Sequence, residues 1–123
     1  MQMTNTYVLE KRTAEIIWYD IDCTNLLDTT EIINTITSVT SDQLGLTLLA
    51  PAVNPIPVTF PDGVTALAGK VISVQIGGGV IELPQVNQLY TIRALFVTSD
   101  SNTREATVLL NVTNLPVQTG RIC

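Results

Sequence analysis

The stretch QLYTIRALFVTSDSNTREATVLLNVT, residues 88–113, carries the strongest structural signal in the sequence. Residues 88–100 form the longest run with β-strand composition, and residues 99–103 (SDSNT) have the composition of a turn. The chain then returns over residues 104–113, where apolar side chains recur at every second position. These are Ala106, Val108, Leu110 and Val112. The stretch therefore predicts a β-hairpin with one face on a hydrophobic core.

Other segments alternate in the same way. On the first of them, one face carries Ile17, Tyr19, Ile21 and Cys23, and the other carries Ile16, Trp18, Asp20 and Asp22. Further strands are predicted over residues 31–41, 44–50 and 69–76, and the proline-rich residues 51–63 predict an edge segment or a crossing loop. Turn signals recur about every 8–12 residues. This pattern predicts an all-β fold, an immunoglobulin-like β-sandwich of about seven strands.

Three aromatic residues are predicted to have structural roles. Trp18 and Tyr90 are expected as large core or near-core side chains, and Tyr19 lies on the predicted inward face. Tyr90 begins a late strand and is followed by apolar residues at two-residue steps. This arrangement resembles the tyrosine corner of immunoglobulin-like and fibronectin type III domains, in which the hydroxyl bonds to upstream backbone.

The chain has 123 residues, a length that suits one domain. We divide it into an N-terminal arm over residues 1–13, the sandwich over residues 14–113 and a C-terminal tail over residues 114–123. Both ends have polar, irregular composition, and we expect flexible arms that become ordered on assembly. The N-terminus lacks a basic region followed by an apolar core, so we expect no signal peptide.

Charge and composition argue against several classes of protein. The net charge is −5, with only six Lys and Arg residues, so neither nucleic acid nor an anionic membrane is an expected partner. The sequence contains no histidine, which removes Ser–His–Asp and Cys–His catalysis and the commonest transition-metal ligand. We therefore predict that the protein is not an enzyme and has no cofactor.

Two acidic residues share one face of a predicted strand. Asp20 and Asp22 are about 6–7 Å apart along it, from the rise per residue. Together with Asp28 or Glu31 they could offer oxygen ligands to Ca²⁺, but the spacing and glycine of a dedicated calcium loop are missing. The simpler interpretation is the solvated half of an edge strand.

Three glycines, residues 77–79, follow a strand without a helix or a lysine after them, so they predict a hairpin loop or bulge rather than a phosphate site.

The two cysteines, Cys23 and Cys123, are 100 positions apart. Without an export signal, two free thiols are the simpler interpretation, because the cytosol keeps thiols reduced. The alternative is a disulfide bond. Cys123 ends the predicted tail, from which it could reach a neighbouring subunit as readily as its own domain, so an inter-subunit bridge is one hypothesis.

The chain is unusually apolar for a separate domain, with a mean hydropathy of +0.34. The outer positions of several predicted strands, such as Ile16, Trp18, Ile33 and Leu109, are apolar as well. Either both faces of the sandwich are well covered, or part of this surface is buried in an assembly.

Short motifs over residues 11–113 resemble a known family. They are Lys11–Arg12, Glu15, Tyr19 to Asp22 and Leu27 at the start, and Tyr90 to Ile92, Thr98 to Asp100, Arg104–Glu105 and Val108 to Val112 at the end. In this pattern the chain resembles the small immunoglobulin-like structural proteins of tailed bacteriophages. The proline-rich loop and the cysteine-ended tail depart from it.

The resemblance implies a virion structural protein, assembled in the bacterial cytoplasm. Such proteins decorate or cement the capsid, or are accessory parts of the neck or tail. The implied partners are a major capsid or tail protein and further copies of the chain as a homo-oligomer. Arg104, Lys11 and Arg12 are the interface residues that we predict. An immunoglobulin-like adhesion module that binds carbohydrate or calcium is the alternative, with Trp18, Asp20 and Asp22 as its site.

Overall fold

The computed structural model describes residues 8–81, 85 and 87–113. Nine strands lie within them, seven long and two of only two residues. Their bounds are β1 Val8–Arg12, β2 Ile17–Asp22, β3 Ile33–Ser41, β4 Leu46–Val53, β5 Val58–Thr59, β6 Thr65–Ala66, β7 Val71–Gly78, β8 Asn87–Thr98 and β9 Thr103–Thr113. Across these same residues the helical content is a single 3-10 turn, Thr24–Leu26, and no helix is long and apolar enough to cross a membrane.

The strands form two main sheets. One has the order β1-β9-β8-β3, the other has the order β2-β7-β4, and β5 and β6 pair separately. All pairs are antiparallel except β1 and β9, which run parallel. Counted along the seven long strands, the second, fourth and fifth form one sheet and the third, sixth and seventh the other, as in immunoglobulin-type domains. The predicted all-β sandwich is confirmed.

The core lies between the two sheets and is formed by alternate residues of their strands. Its buried side chains are Ile21, Cys23, Ile33, Ile72, Val74, Ile76, Tyr90, Ile92, Ala94, Phe96, Ala106, Leu110 and Val112. The predicted inward face of β9 is among them, with Val108 partly buried against the same cluster. Central strand β7 is apolar over most of its length, whereas polar residues are interspersed along the edge strands β2 and β3. The period-2 pattern therefore located the core well.

The predicted N-terminal arm includes a strand, which is a correction to its boundary. Residues Val8–Arg12 pair in parallel with residues 109–113 of β9, and the hydroxyl of Tyr19 donates to the carbonyl oxygen of Glu10 at 2.6 Å. The run Glu-Lys-Arg concealed this strand, since charged residues are seldom buried, and Lys11 is buried here. The sandwich therefore includes residues 8–12, which the predicted boundary at residue 14 had left out. Residues 1–7 and the predicted tail, residues 114–123, lie outside the described residues.

The three glycines, residues 77–79, lie at the end of β7, and the positive φ angles of Gly78 and Gly79 favour glycine there. Gly78 has φ +77°, and a Cβ atom there would lie 2.7 Å from the carbonyl oxygen of Gly45. Gly79 has φ +117° and donates its N–H to the same oxygen at 2.9 Å. These contacts fix the start of β4 against the end of β7, as expected for a bulge and not for a phosphate loop.

Candidate functional site

The outer face of the three-stranded sheet carries several exposed apolar side chains. Trp18 of β2 is 55% exposed, Leu49 of β4 is 44% exposed, and both are paired in register with Gln75 of the central strand β7. Ile16, immediately before β2, is 62% exposed and lies against Gly77. We call this surface of Ile16, Trp18, Gln75 and Leu49 the outer patch.

The position of Trp18 corrects a prediction. It was expected as a core or near-core residue, but it points away from the core. The predicted division of β2 into two faces is confirmed, since Tyr19 is partly buried and Ile21 is fully buried on the face opposite Trp18. The size of the indole suggested burial, but no second layer of the described residues covers this face of the sheet. A large aromatic ring is therefore left in contact with solvent.

Polar groups border the outer patch on one side. Asp20 of β2 accepts a hydrogen bond from the Ser73 hydroxyl at 2.5 Å, and the Asn54 amide donates to the same hydroxyl oxygen at 3.3 Å. These hydrogen bonds connect β2 and β7 with Asn54, the residue that follows β4, next to the apolar row. A flat aromatic surface beside ordered polar groups can contact either a protein surface or a sugar ring.

A second polar cluster lies at one end of the sandwich, where the β2–β3 loop meets the β8–β9 hairpin. Glu31 is fully buried and accepts hydrogen bonds from the Asp28 N–H at 3.0 Å, the Asn102 amide at 3.0 Å and the Thr98 hydroxyl. These donors, with the nearby charge of Arg104, hold the pKa of Glu31 at about 2. The carboxylate thus fixes one loop to the other.

Lys70 completes this cluster from the opposite side. Its ammonium donates to the carbonyl oxygens of Asp28 at 3.1 Å and Thr29 at 2.8 Å, and the side chain is 5% exposed. Both of these contacts cross more than 40 residues of sequence, so no local pattern could have predicted them. Lys70 and Glu31 hold the loop end of the sandwich together.

The acidic residues suggested as calcium ligands are only partly brought together. Carboxylate oxygens of Asp28, Glu31 and Asp100 lie within 4.8 Å of one another. Asp22, however, accepts hydrogen bonds from the N–H and hydroxyl of Thr24 at 3.0 and 2.6 Å. Because Glu31 already accepts three hydrogen bonds, its first role is structural.

The hydroxyl groups of two tyrosines, Tyr19 and Tyr90, form hydrogen bonds with backbone groups. Tyr90 is 1% exposed, and its hydroxyl accepts from the N–H of Val80 at 2.8 Å and donates to the carbonyl oxygen of Val80 at 3.1 Å. This is the upstream backbone contact of a tyrosine corner. Burial, with the charges of Glu15 and Glu10, raises the pKa of Tyr19 to about 12. The Tyr19 hydroxyl is therefore neutral, and both hydroxyls have structural roles.

Cys23 is fully buried and is a free thiol. Burial first, and the charge of Asp22 second, raise the pKa of this thiol to about 12. A protonated and enclosed thiol neither attacks a disulfide nor meets a cysteine of another subunit. Cys23 is therefore unsuited to the suggested inter-subunit bridge while the domain is folded. Cys123 lies outside the described residues.

The three basic residues predicted at an interface lie in different surroundings. Lys11 is 2% exposed and donates to the carbonyl oxygen of Arg12 at 2.6 Å, and burial lowers its pKa against the opposing effect of Glu15. The backbone N–H of Arg12 donates to Glu15 at 2.7 Å. Arg104 is exposed at the loop end. Lys11 is thus a buried structural residue, a correction to its predicted interface role, while Arg104 remains accessible.

No protein-family model matches the chain, and no curated protein is significantly similar to it.

Proposed function

We propose that this chain is a non-enzymatic structural protein of a tailed-bacteriophage virion, a capsid decoration or cementing subunit. In this proposal the sandwich is a rigid body and the outer patch is its contact with the capsid lattice. A position in the neck or tail is the variant of the same proposal. The family resemblance of residues 11–113 supplies the class of protein, and the exposed Trp18 with its apolar neighbours is the observation that carries the proposal.

Physical chemistry supports an interface on this face. Exposed apolar patches are costly in water, and aromatic residues are enriched at the centres of protein interfaces. Trp18 lies on strand β2 at one edge of the three-stranded sheet, where pairing with β7 orders its backbone, so little backbone entropy would be lost on binding. Repetition of a weak contact over a lattice would add avidity.

The direct test uses phage particles in which the gene for this chain is deleted. Purified chain is added back, and its binding is measured by co-sedimentation with the particles. We expect saturable binding, and a Trp18→Ser variant that binds at least about tenfold more weakly, as for an interface hot spot. Leu44→Ser is the matched control, because Leu44 is 95% exposed but does not belong to the outer patch. Equal binding by both variants would contradict the assigned surface, and no binding of the parent chain would contradict the function.

A carbohydrate-binding adhesion module is the second candidate, because Trp18 is exposed beside the hydrogen-bonded Asp20. An aromatic face with adjacent polar groups fits the apolar face and hydroxyls of a sugar. Glycan-array binding that is lost in Trp18→Ser, without binding to the particles, would favour this candidate. A rise in melting temperature with Ca²⁺ that is lost in Asp100→Asn would favour its calcium-binding form.

A further inference from the structure

The two sheets differ in the charges that their strands carry. The described strands β2, β4 and β7 of the three-stranded sheet contain two charged residues, Asp20 and Asp22, and both are acidic. Lys70, immediately before β7, is buried and donates to carbonyl oxygens of a loop. Every basic residue on a described strand belongs to the other sheet, namely Lys11, Arg12, Arg93 and Arg104. The sheet that bears the outer patch therefore presents negative charge without an accessible positive group on its own strands.

Asp20 and Asp22 share the outer face of β2 with Trp18. The three residues follow one another at two-residue steps and are all exposed, so neighbouring side chains are about 6–7 Å apart along the strand. One oxygen of each carboxylate is occupied, since Asp20 accepts from the Ser73 hydroxyl and Asp22 accepts from the N–H and hydroxyl of Thr24. Neither carboxylate forms an ion pair within the described part of the chain. Asp20, the acid next to Trp18, thus has a second oxygen open to a partner.

Gln75 adds an amide to the same face. It lies opposite Trp18 of β2 and opposite Leu49 of β4, and its side chain is partly buried. Its amide forms no hydrogen bond with the other described residues. A glutamine amide offers both donors and an acceptor, which suit the backbone of a bound polypeptide. The strand pair of β2 and β7 therefore combines an aromatic ring, a carboxylate and an amide on one face.

A partner that covers Trp18 also comes close to Asp20, because the two residues are neighbours on one strand face. A carboxylate that loses its water on binding is costly unless the partner supplies a positive group. Arginine meets both demands, since its guanidinium stacks on an aromatic face within about 6 Å of the ring and donates paired hydrogen bonds to a carboxylate. A lysine ammonium is more strongly hydrated and has no flat face for stacking. The spacing of Trp18 and Asp20 suits a single arginine side chain.

We infer that the outer patch binds an arginine side chain of a partner polypeptide. The guanidinium lies on the Trp18 ring and pairs with Asp20, and apolar residues beside that arginine contact Ile16 and Leu49. The inference rests on the proposed function and deepens it, since it names the chemistry that the lattice protein presents to the patch. Tryptophan and arginine are both enriched among the hot spots of protein interfaces.

Trp18 is the only tryptophan of the sequence, so its fluorescence reports on the patch directly. The full chain at pH 7 is titrated with acetyl-Thr-Leu-Arg-Leu-Thr-amide. The control peptide has citrulline in place of arginine, which keeps the planar group but removes the charge. We expect a saturable change in emission with a Kd of about 1 mM, and a Kd at least about fivefold higher for the citrulline peptide. No saturable change up to about 10 mM, or equal affinity for the two peptides, would overturn the inference.

Two variants locate the contact. Asp20→Asn keeps an oxygen that accepts from Ser73 but removes the charge, and it should raise the Kd of the arginine peptide about fivefold. Glu105→Gln removes an exposed charge from the other sheet and should leave that Kd unchanged. Equal Kd values for Asp20→Asn and the parent chain would contradict the pairing and overturn the inference.

An arginine of this chain as the occupant would give different results. Arg121 lies outside the described residues. If it supplied the arginine, Arg121→Gln would change the emission of Trp18 in the absence of peptide. If a second copy supplied it, the peptide-free emission of the parent would change with protein concentration. We expect neither change, and either one would overturn the inference.

The particle-binding assay separates this inference from the proposed function. Co-sedimentation with the gene-deleted particles is repeated with Asp20→Asn at about 0.05 and 0.5 M salt. We expect Asp20→Asn to bind about fivefold more weakly than the parent at low salt and to depend less on salt. Equal binding of both chains at both salt concentrations would overturn the inference and leave the proposed function in place. No binding of the parent chain would overturn the proposed function, while the peptide titrations would still decide whether the patch binds arginine.

Discussion

Single side chains that bond to backbone across the sandwich determine much of this structure at the residue scale. Tyr90 is the clearest case, because its ring fills the core while its hydroxyl satisfies both backbone groups of Val80. We expect Tyr90→Phe to lower the free energy of unfolding by about 1–3 kcal/mol, since it leaves these groups unpaired. Urea unfolding would measure the loss. Tyr19→Phe is the comparison, because it removes one backbone hydrogen bond at an exposed site where water can replace the hydroxyl; a loss for Tyr90→Phe no larger than this would contradict the assignment.

Glu31 gives a prediction about acid stability. Its pKa is about 2 in the folded protein and 4.5 ordinarily, so the unfolded chain binds the proton more tightly. The stabilisation from Glu31 is complete above pH 4.5 and is lost as the pH falls from 4.5 towards 2. We expect the melting temperature to fall steeply over that range and the dependence to be shallower in Glu31→Gln.

The control for this prediction is Glu105→Gln, which removes an exposed carboxylate of the same type. Its melting temperature should follow the parent curve between pH 5 and 2, measured by circular dichroism. If Glu31→Gln kept the full slope of the parent, the acid sensitivity would have to come from other carboxylates.

At the scale of single elements, the β8–β9 hairpin contains a strained position. Ser101 has φ 66° in a turn closed by hydrogen bonds from the Ser101 N–H to the Thr98 carbonyl and from the Thr98 N–H to the Asn102 carbonyl. A residue with a Cβ atom costs about 1–2 kcal/mol in this conformation. Glycine removes most of that cost but gains flexibility in the unfolded chain. We therefore expect Ser101→Gly to raise the free energy of unfolding by about 0.5–1 kcal/mol.

Chemical denaturation of Ser101→Gly and Ser101→Ala separates strain from loss of the hydroxyl. Alanine keeps the Cβ atom, so Ser101→Ala should match the parent protein. A gain of the same size in both variants would mean that the serine side chain, and not the backbone angle, is unfavourable.

The elements themselves were largely predictable from sequence, and their environment was not. Alternation located the strands, the hairpin at residues 99–103 and the inward face of β9, because period-2 patterns follow directly from burial of one face. The same pattern could not show that β1 exists, since its charged residues do not alternate with apolar ones and the strand forms by pairing with the distant β9. It also could not show that Trp18 is exposed, because alternation separates the two faces of a strand but does not say whether anything packs on the second one.

Charge and exposed apolar surface act together at the scale of the whole molecule. The chain carries a net charge of −5 at neutral pH and has a pI of about 4.3. Repulsion between like-charged copies opposes association through the outer patch, and this repulsion vanishes near the pI. Glu31 keeps its charge at that pH, because its pKa is about 2, so the loop end of the sandwich stays closed.

We therefore expect reversible self-association of the folded protein between about pH 4 and 5, where the net charge approaches zero. Light scattering should show a higher mean mass there than at pH 7, with an unchanged circular dichroism spectrum. Because Trp18 and Leu49 flank Gln75 on one sheet face, the double variant Trp18→Ser, Leu49→Ser should remain closer to monomer mass. Leu44→Ser, on an exposed loop, should associate like the parent. If the double variant associated as strongly as the parent protein, the copies would have to contact one another through another part of the surface. The outer patch would then not be the surface of self-association.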